Sequence, residues 1–251
     1  MEPLMRPDLL KCAICALAML TASLATAATV EFSGTVTYMG SYTADSLYVA
    51  VVDTAGPRTI GYQALPAGTP PLSIPFSIHF DNAGRIAPVL LAAFLDVDHS
   101  GFAADSLDRA VTNGDVLGWY DGNPDPAFLH VDVSRIGLDF ALPTAEIHGN
   151  IVFAIGQTSA DIEAFSIPND WSRPALKIHS PGPYAIIGLY AGSWGVHGAG
   201  PYGDLCYGDP ACSSPTVVNL AAGEVRTGID LDFRVTAVVP TSWGRIKELY
   251  R

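Results

Sequence analysis

The eight residues SIPFSIHF, at positions 73–80, constrain the fold more than any other stretch of this chain. Ile74, Phe76, Ile78 and Phe80 fall on one side of an extended backbone and Ser73, Pro75, Ser77 and His79 on the other, because successive side chains of a strand point to opposite faces. Such a segment has one buried and one wet face, as in a sheet packed on a second sheet. Pro75 cannot donate to a ladder, which predicts an edge position.

Other stretches follow the same pattern. VEFSGTVTY (30–38), SLYVAVVD (46–53), VLLAAFLD (89–96), VLGWYD (116–121), AFLHVDV (127–133) and IGLDFAL (136–142) are short, β-branched or aromatic, and bounded by Gly, Pro, Asn or Asp. They read as strands joined by turns. With 24 glycines, 19 prolines and only 15% charged residues, the composition suits an all-β protein better than a helical one. A length of 251 residues allows one large β domain or two ordinary ones, each with its own core. The net charge of −12 argues against nucleic acid or an anionic membrane surface as a partner, while an acidic surface can recruit divalent cations.

The second part of the chain echoes the first. SGTVTY (33–38) corresponds to HGNIVF (148–153), with Gly34 matching Gly149, Val36 matching Ile151 and Tyr38 matching Phe153. LAAFLD (91–96) corresponds loosely to IGLYAG (187–192), WYDGNPDP (119–126) to CYGDPACSSP (206–215), and GLDF (137–140) to DLDF (230–233). Matches in one order from start to end predict two tandem copies of one module, residues 28–143 and 144–236. Pro143, Thr144 and Ala145 would form a short hinge between them.

The order of these motifs carries a family resemblance. G-T-V-T-Y, then an exposed second strand, AAFLDVD-x-SG, GWY-x-x-x-P and a closing G-x-D-F resemble the carboxypeptidase-regulatory-like and transthyretin-like β-sandwich modules of bacterial secreted and surface proteins. The resemblance covers most of residues 29–236, both copies included. It implies two seven-stranded prealbumin-like or immunoglobulin-like sandwiches, with an accessory or structural role and no enzymatic activity. The chain departs from the simplest pattern in the long connection between Asp53 and Ser73, and in the loop AGSWGVHGAGPYGD (191–204) of the second copy.

The N-terminus reads as an export signal. Arg6 and Lys11 precede a run of apolar or small residues over 12–25, and Ala25-Thr26-Ala27 supplies a small-residue cleavage pattern, which predicts a signal peptide over 1–27. The run falls short of the roughly 20 residues that span a bilayer, and no other segment of the sequence is long and apolar enough. The mature chain is therefore expected to be secreted or at the cell surface. Cys12 and Cys15 would leave with the signal. Cys206 and Cys212 flank a Gly-Asp-Pro turn, and in an oxidising compartment they are expected to form a disulfide. No further ligands at zinc spacing accompany them.

Candidate chemistry concentrates in FLDVDHSGFAADSLD (94–108). Asp96, Asp98 and Ser100 alternate, so their oxygens can converge, and Gly101 permits the sharp turn of a hard-cation loop. Asp105 and Asp108 follow at a spacing that puts them on one side of a helical turn. A twelve-residue calcium loop from Asp96 would end at Leu107, so Asp108 comes one residue late. From Asp96 to Asp125 there are seven aspartates and one basic residue, Arg109. Like charges packed so densely need either a cation or good solvation. Two readings therefore stand: a structural Ca2+ site of weak extracellular type, formed by Asp96, Asp98, Ser100, Asp105 and Asp108, and a solvated acidic loop.

Aromatic residues offer a second candidate. Trp194, Tyr202 and Tyr207 lie in the predicted loop of the second copy, near the position that Trp119 and Tyr120 hold in the first. Exposed at a sandwich end they could stack on polysaccharide or a cell-surface protein; otherwise they cover the core. AGSWG (191–195) lacks the G-x-S-x-G spacing of a nucleophile elbow, and the histidines have no metal-ligand spacing. Residues 237–251 change character. Pro240 ends the last strand, Thr241 or Ser242 can cap, and Trp243, Ile246 and Leu249 or Tyr250 line one face of a short helix. This ending resembles a short tail of exported bacterial proteins, for recognition or anchoring; a terminal helix docked on the body is the alternative.

Overall fold

The computed structural model of the chain describes residues 29–54, 58–81, 88–102, 114–121, 127–131, 133–167, 172 and 175–235. The predicted signal peptide (1–27) and C-terminal tail (237–251) lie outside the described residues.

The strands of the first half are β1 (Thr29–Tyr38), β2 (Ala44–Asp53), β3 (Arg58–Gly68), β4 (Leu72–Asp81), β5 (Val89–Asp96), β6 (Val116–Trp119) and β7 (Phe140–Ala141). Those of the second are β8 (Ala145–Val152), β9 (Ala160–Ser166), β10 (Leu176–Ile178), β11 (Gly182–Leu189), β12 (Gly192–Gly200), β13 (Gly203–Cys206), β14 (Val218–Leu220), β15 (Val225–Arg226) and β16 (Leu231–Asp232). Apart from a 3-10 turn at Phe233–Val235, the regular structure of the described residues is all β. Ala145, expected in a hinge, already belongs to β8 and is fully buried.

In the first half, β4-β1-β7 forms one sheet and β3-β2-β5-β6 another. β4 is an outer strand, as Pro75 requires. Phe32, Tyr38, Phe76 and Phe80 of the first sheet meet Leu47, Val49, Leu91 and Leu95 of the second in one core. Each such side chain contributes about 1.5–3 kcal/mol when taken fully out of water. The second half repeats this arrangement: β11 and β8 with β15 and β16 face β10, β9 and β12 with β13 and β14. Their core joins Ile147, Ile151 and Leu189 to Ile162, Trp194 and Val196.

Both halves close in the same way. The last segment of each runs parallel to its first strand, pairing Val36 with Phe140 and Ile151 with Leu231. Just before these pairs, Gly137 (φ 72°) and Gly228 (φ 77°) take left-handed conformations, which glycine adopts at little cost. The backbone then passes so close to the first strand that a Cβ at Gly34 would run into the Leu138 carbonyl, and one at Gly149 into that of Ile229. Asp139 Oδ1 accepts the Thr35 amide at 2.7 Å, and Asp230 Oδ1 accepts the Asn150 amide at 2.7 Å. These contacts correct the repeat register: GLDF (137–140) corresponds to GIDL (228–231), two residues before the expected DLDF. The sequence match followed the Asp-Phe pair, whereas the structural constraint is the glycine and the aspartate two residues after it.

Two further expectations are corrected. The connection between Asp53 and Ser73 contains β3, paired with β2 from Ala44↔Gly68 to Asp53↔Arg58. RTIGYQALPAG lacks apolar alternation because this outer strand is half exposed and takes its order from β2. The predicted loop 191–204 instead supplies β12 and β13, and β12 lies inside its sheet, between β9 and β13. Glycine ordinarily weakens strands; here the Phe165 ring fills the space beside Gly195, and Phe233 the space beside Gly198 and Gly200. The counterpart of β5 is therefore β12, which pairs with β9 as β5 pairs with β2, and the match of LAAFLD to IGLYAG does not hold.

Candidate functional site

The acidic site forms where β5 ends. Because Leu95 pairs with Val116 across the β5–β6 ladder, the next residues outward on the two strands, Asp96 and Asp115, face one another. Asp98 joins them from the loop, and oxygens of the three carboxylates all lie within 4.8 Å of one another. The approach is tight: a Cβ at Gly114 would come within 2.7 Å of the Asp98 Cβ. The loop bends through His99 (φ 60°) and Gly101 (φ 81°), both left-handed.

Backbone amides of the site hold one oxygen of each carboxylate. Gly101 N–H donates to Asp96 Oδ2 at 3.2 Å, Ser100 N–H to Asp98 Oδ1 at 2.9 Å, and Val97 N–H to Asp115 Oδ1 at 3.1 Å. Asp115 is 0% exposed and Asp96 only 5%, whereas Asp98 is open to solvent. Asp96 Oδ1 is buried and accepts no hydrogen bond. A desolvated carboxylate oxygen without a donor is costly, and a cation is the partner that three converging carboxylates favour.

Of the residues expected from sequence, Asp96 and Asp98 come together, and Ser100 sits in the same loop with its amide on Asp98. Asp105 and Asp108 lie outside the described residues. Asp115 was missed. Reading VLLAAFLD and VLGW as a hairpin would have placed it opposite Asp96; a search confined to neighbouring loop positions could not.

The aromatic candidate loses its central member. Trp194 lies on β12, is 0% exposed in the second core, and donates its indole N–H to the Tyr190 carbonyl at 3.0 Å. It cannot stack on a ligand: the loop expected to display it is a strand with one face on the core. Tyr207 packs half-buried against that core, and Tyr202 remains 57% exposed on the β12–β13 turn. Trp119 is buried and Tyr120 packs edge-on to Phe140. The expected Cys206–Cys212 disulfide is present. Asp209 inside its loop accepts from Ser214 N–H at 2.6 Å, Ser213 Oγ at 2.8 Å and Ala211 N–H at 3.0 Å.

Side chains of the two halves meet. Tyr42 Oη donates to Glu146 Oε2 at 2.9 Å, and His148 Nε2 lies 2.7 Å from the same oxygen. Burial, and then the bond to Glu146, push the Tyr42 phenol pKa up. The Trp119 amide donates to Tyr190 Oη at 2.7 Å, and Ile187 packs into the first core. Beside this junction lies a mostly apolar cleft of about 580 Å³, lined in part by Met39, Tyr120, Phe140, Pro143 and Tyr190.

No family model and no curated protein sequence matches the chain. Among solved structures, similar folds include a Parabacteroides distasonis protein assigned to cell adhesion, with 9% identity, 84% of this chain and 92% of that chain covered, and a TM-score of 0.35. The tip fimbrial protein of Porphyromonas gingivalis has 9% identity, covers 71% of this chain and 81% of that one, and gives a TM-score of 0.29. A Bacteroides ovatus protein assigned as an adhesin has 8% identity, coverage of 81% and 87%, and a TM-score of 0.29. Likenesses at these scores assign neither function nor partner to the chain.

Proposed function

We propose that the mature chain is an exported, non-catalytic protein of two tandem β-sandwich modules, residues 28–143 and 144–236, with a structural or adhesive role at the cell surface and a stabilising Ca2+ in the first module. The observation that carries this reading is the repeated closure, Gly34 with Asp139 and Gly149 with Asp230, joined by hydrogen bonds from Tyr42 and Trp119 across the junction. Two modules built on one plan and docked together form a stiff unit suited to displaying or spacing a surface. The disulfide and the sequence of residues 1–27 support export. Among the described residues no helix is long and apolar enough to cross a membrane. The partner class is a cell-surface protein or a polysaccharide.

The test is a screen of residues 28–251 against glycan and surface-protein arrays, beside attachment and fractionation of cells lacking the gene. Specific binding, or loss of attachment, is the expected outcome. A cytoplasmic location, or hydrolysis of a screened glycan, would sink the proposal.

A further inference from the structure

We infer that a hard divalent cation of Ca2+ size binds Asp96, Asp98 and Asp115 and acts as a clasp that seats Phe102 on the aromatic face formed by Tyr48, Tyr62 and Phe94. The inference rests on the calcium reading above and deepens it, naming a ligand set and a consequence. Two observations carry the site: the convergence of three carboxylates within 4.8 Å, and the buried Asp96 Oδ1, which has no hydrogen-bond donor. Oxygens bound to one Ca2+ at about 2.3–2.6 Å can stand up to about 5 Å apart, so three carboxylate oxygens within 4.8 Å of one another can share one such ion.

The consequence follows from chain connectivity. Asp96 ends β5, Asp115 precedes β6, and Asp98 belongs to the loop that leaves β5. An ion joining all three fixes residues 97–102 against the sheet end, and Gly101, whose amide is bonded to Asp96, is followed directly by Phe102. The Phe102 ring lies 4.6 Å from that of Tyr62, 5.2 Å from that of Tyr48 and 5.4 Å from that of Phe94. Without the ion, three carboxylates repel one another at the base of this loop, and the ring loses its support. The outer face of the sheet then exposes Tyr48 and Phe94 beside the already exposed Tyr62.

The experiment uses the whole mature chain, stripped with EDTA and titrated with CaCl2, and follows ion binding by calorimetry, hydrogen exchange of residues 97–102, and fluorescence of a dye that binds exposed apolar surface. One ion per chain should bind, with a Kd on the order of 10⁻⁴ to 10⁻³ M. Exchange in 97–102 should slow and dye fluorescence should fall. Asp115→Asn should abolish binding. Asp98→Asn, at a solvent-exposed position that does not threaten folding, should weaken it about tenfold or more; Asp105→Asn with Asp108→Asn should leave it in place. Absence of binding at millimolar Ca2+ would overturn the calcium reading itself. Binding lost in the Asp105/Asp108 variant but kept in Asp98→Asn would spare that reading and overturn this ligand set. Binding that depends on Asp98 yet leaves exchange and dye fluorescence unchanged would overturn the clasp alone.

Discussion

In the first half the chain leaves β5 at Asp96 and enters β6 at Val116; in the second it leaves β12 at Gly200 and enters β13 at Gly203. One ladder plan thus accommodates both a long acidic excursion and the two-residue turn Pro201-Tyr202. Loop-closure entropy rises slowly, by about 0.6 kcal/mol per doubling of length, so length alone does not decide between them. What differs is how each connection is held. The first draws Asp96 and Asp115 out of water; the second continues into a disulfide loop organised around Asp209. A shared frame therefore does not imply a shared site, because frame and site depend on different residues.

The largest test of this comparison is Trp194→Ala. Emptying a fully buried position on the second half's inner strand should cost about 3–5 kcal/mol in urea unfolding, whereas Tyr202→Ala on the neighbouring turn should stay within about 0.5 kcal/mol. Equal effects would mean that the two residues are not divided between core and surface. Next, replacing Cys206 and Cys212 by serine should lower stability by roughly 2–2.5 kcal/mol, from the entropy of a loop this short. Ca2+ affinity should be unaffected, since the acidic site belongs to the other half.

A smaller effect probes the common frame. Asp139→Ala and Asp230→Ala each remove one carboxylate acceptor from a first-strand amide, and each should cost about 1 kcal/mol. Similar losses would sharpen the equivalence of the closures, while a loss confined to one half would break it.

The smallest effect is one of pH. The Ser214 amide, the Ser213 hydroxyl and the Ala211 amide hold the Asp209 carboxyl below its ordinary value of 3.8. A carboxyl depressed by folding stabilises the native state above its unfolded pKa, and that contribution fades as pH falls through the lower folded value. The Tm advantage of the wild type over Asp209→Asn should accordingly be constant above pH 5 and shrink below about pH 3.8. A Tm difference unchanged down to pH 2 would show that these three donors do not favour the charged form.

Much of the frame was legible in the residues. Alternation in 73–80 defined a strand with one wet face, and Pro75 placed it at an edge. Gly34 and Gly149 marked equivalent first strands before any contact was known. Legibility failed where packing overrode local pattern. Gly195, Gly198 and Gly200 read as a loop because glycine carries no apolar periodicity; the Phe165 and Phe233 rings that fill the vacant space arrive from distant sequence positions. β3 was missed for the opposite reason, since an outer strand that buries little needs no alternation.

Sequence alone determined the all-β character, the cysteine pair and the concentration of negative charge after β5, because alternation, composition and local spacing are properties of neighbouring residues. Only the tertiary structure decided that Trp194 is core, that the closing motif is glycine followed by aspartate two positions later, and that Asp115 joins Asp96 and Asp98 in the acid cluster. Each of these depends on residues made neighbours by strand pairing. The Leu95–Val116 pair sets Asp96 against Asp115 across nineteen positions of chain, a distance over which one-dimensional spacing carries no information about where side chains meet.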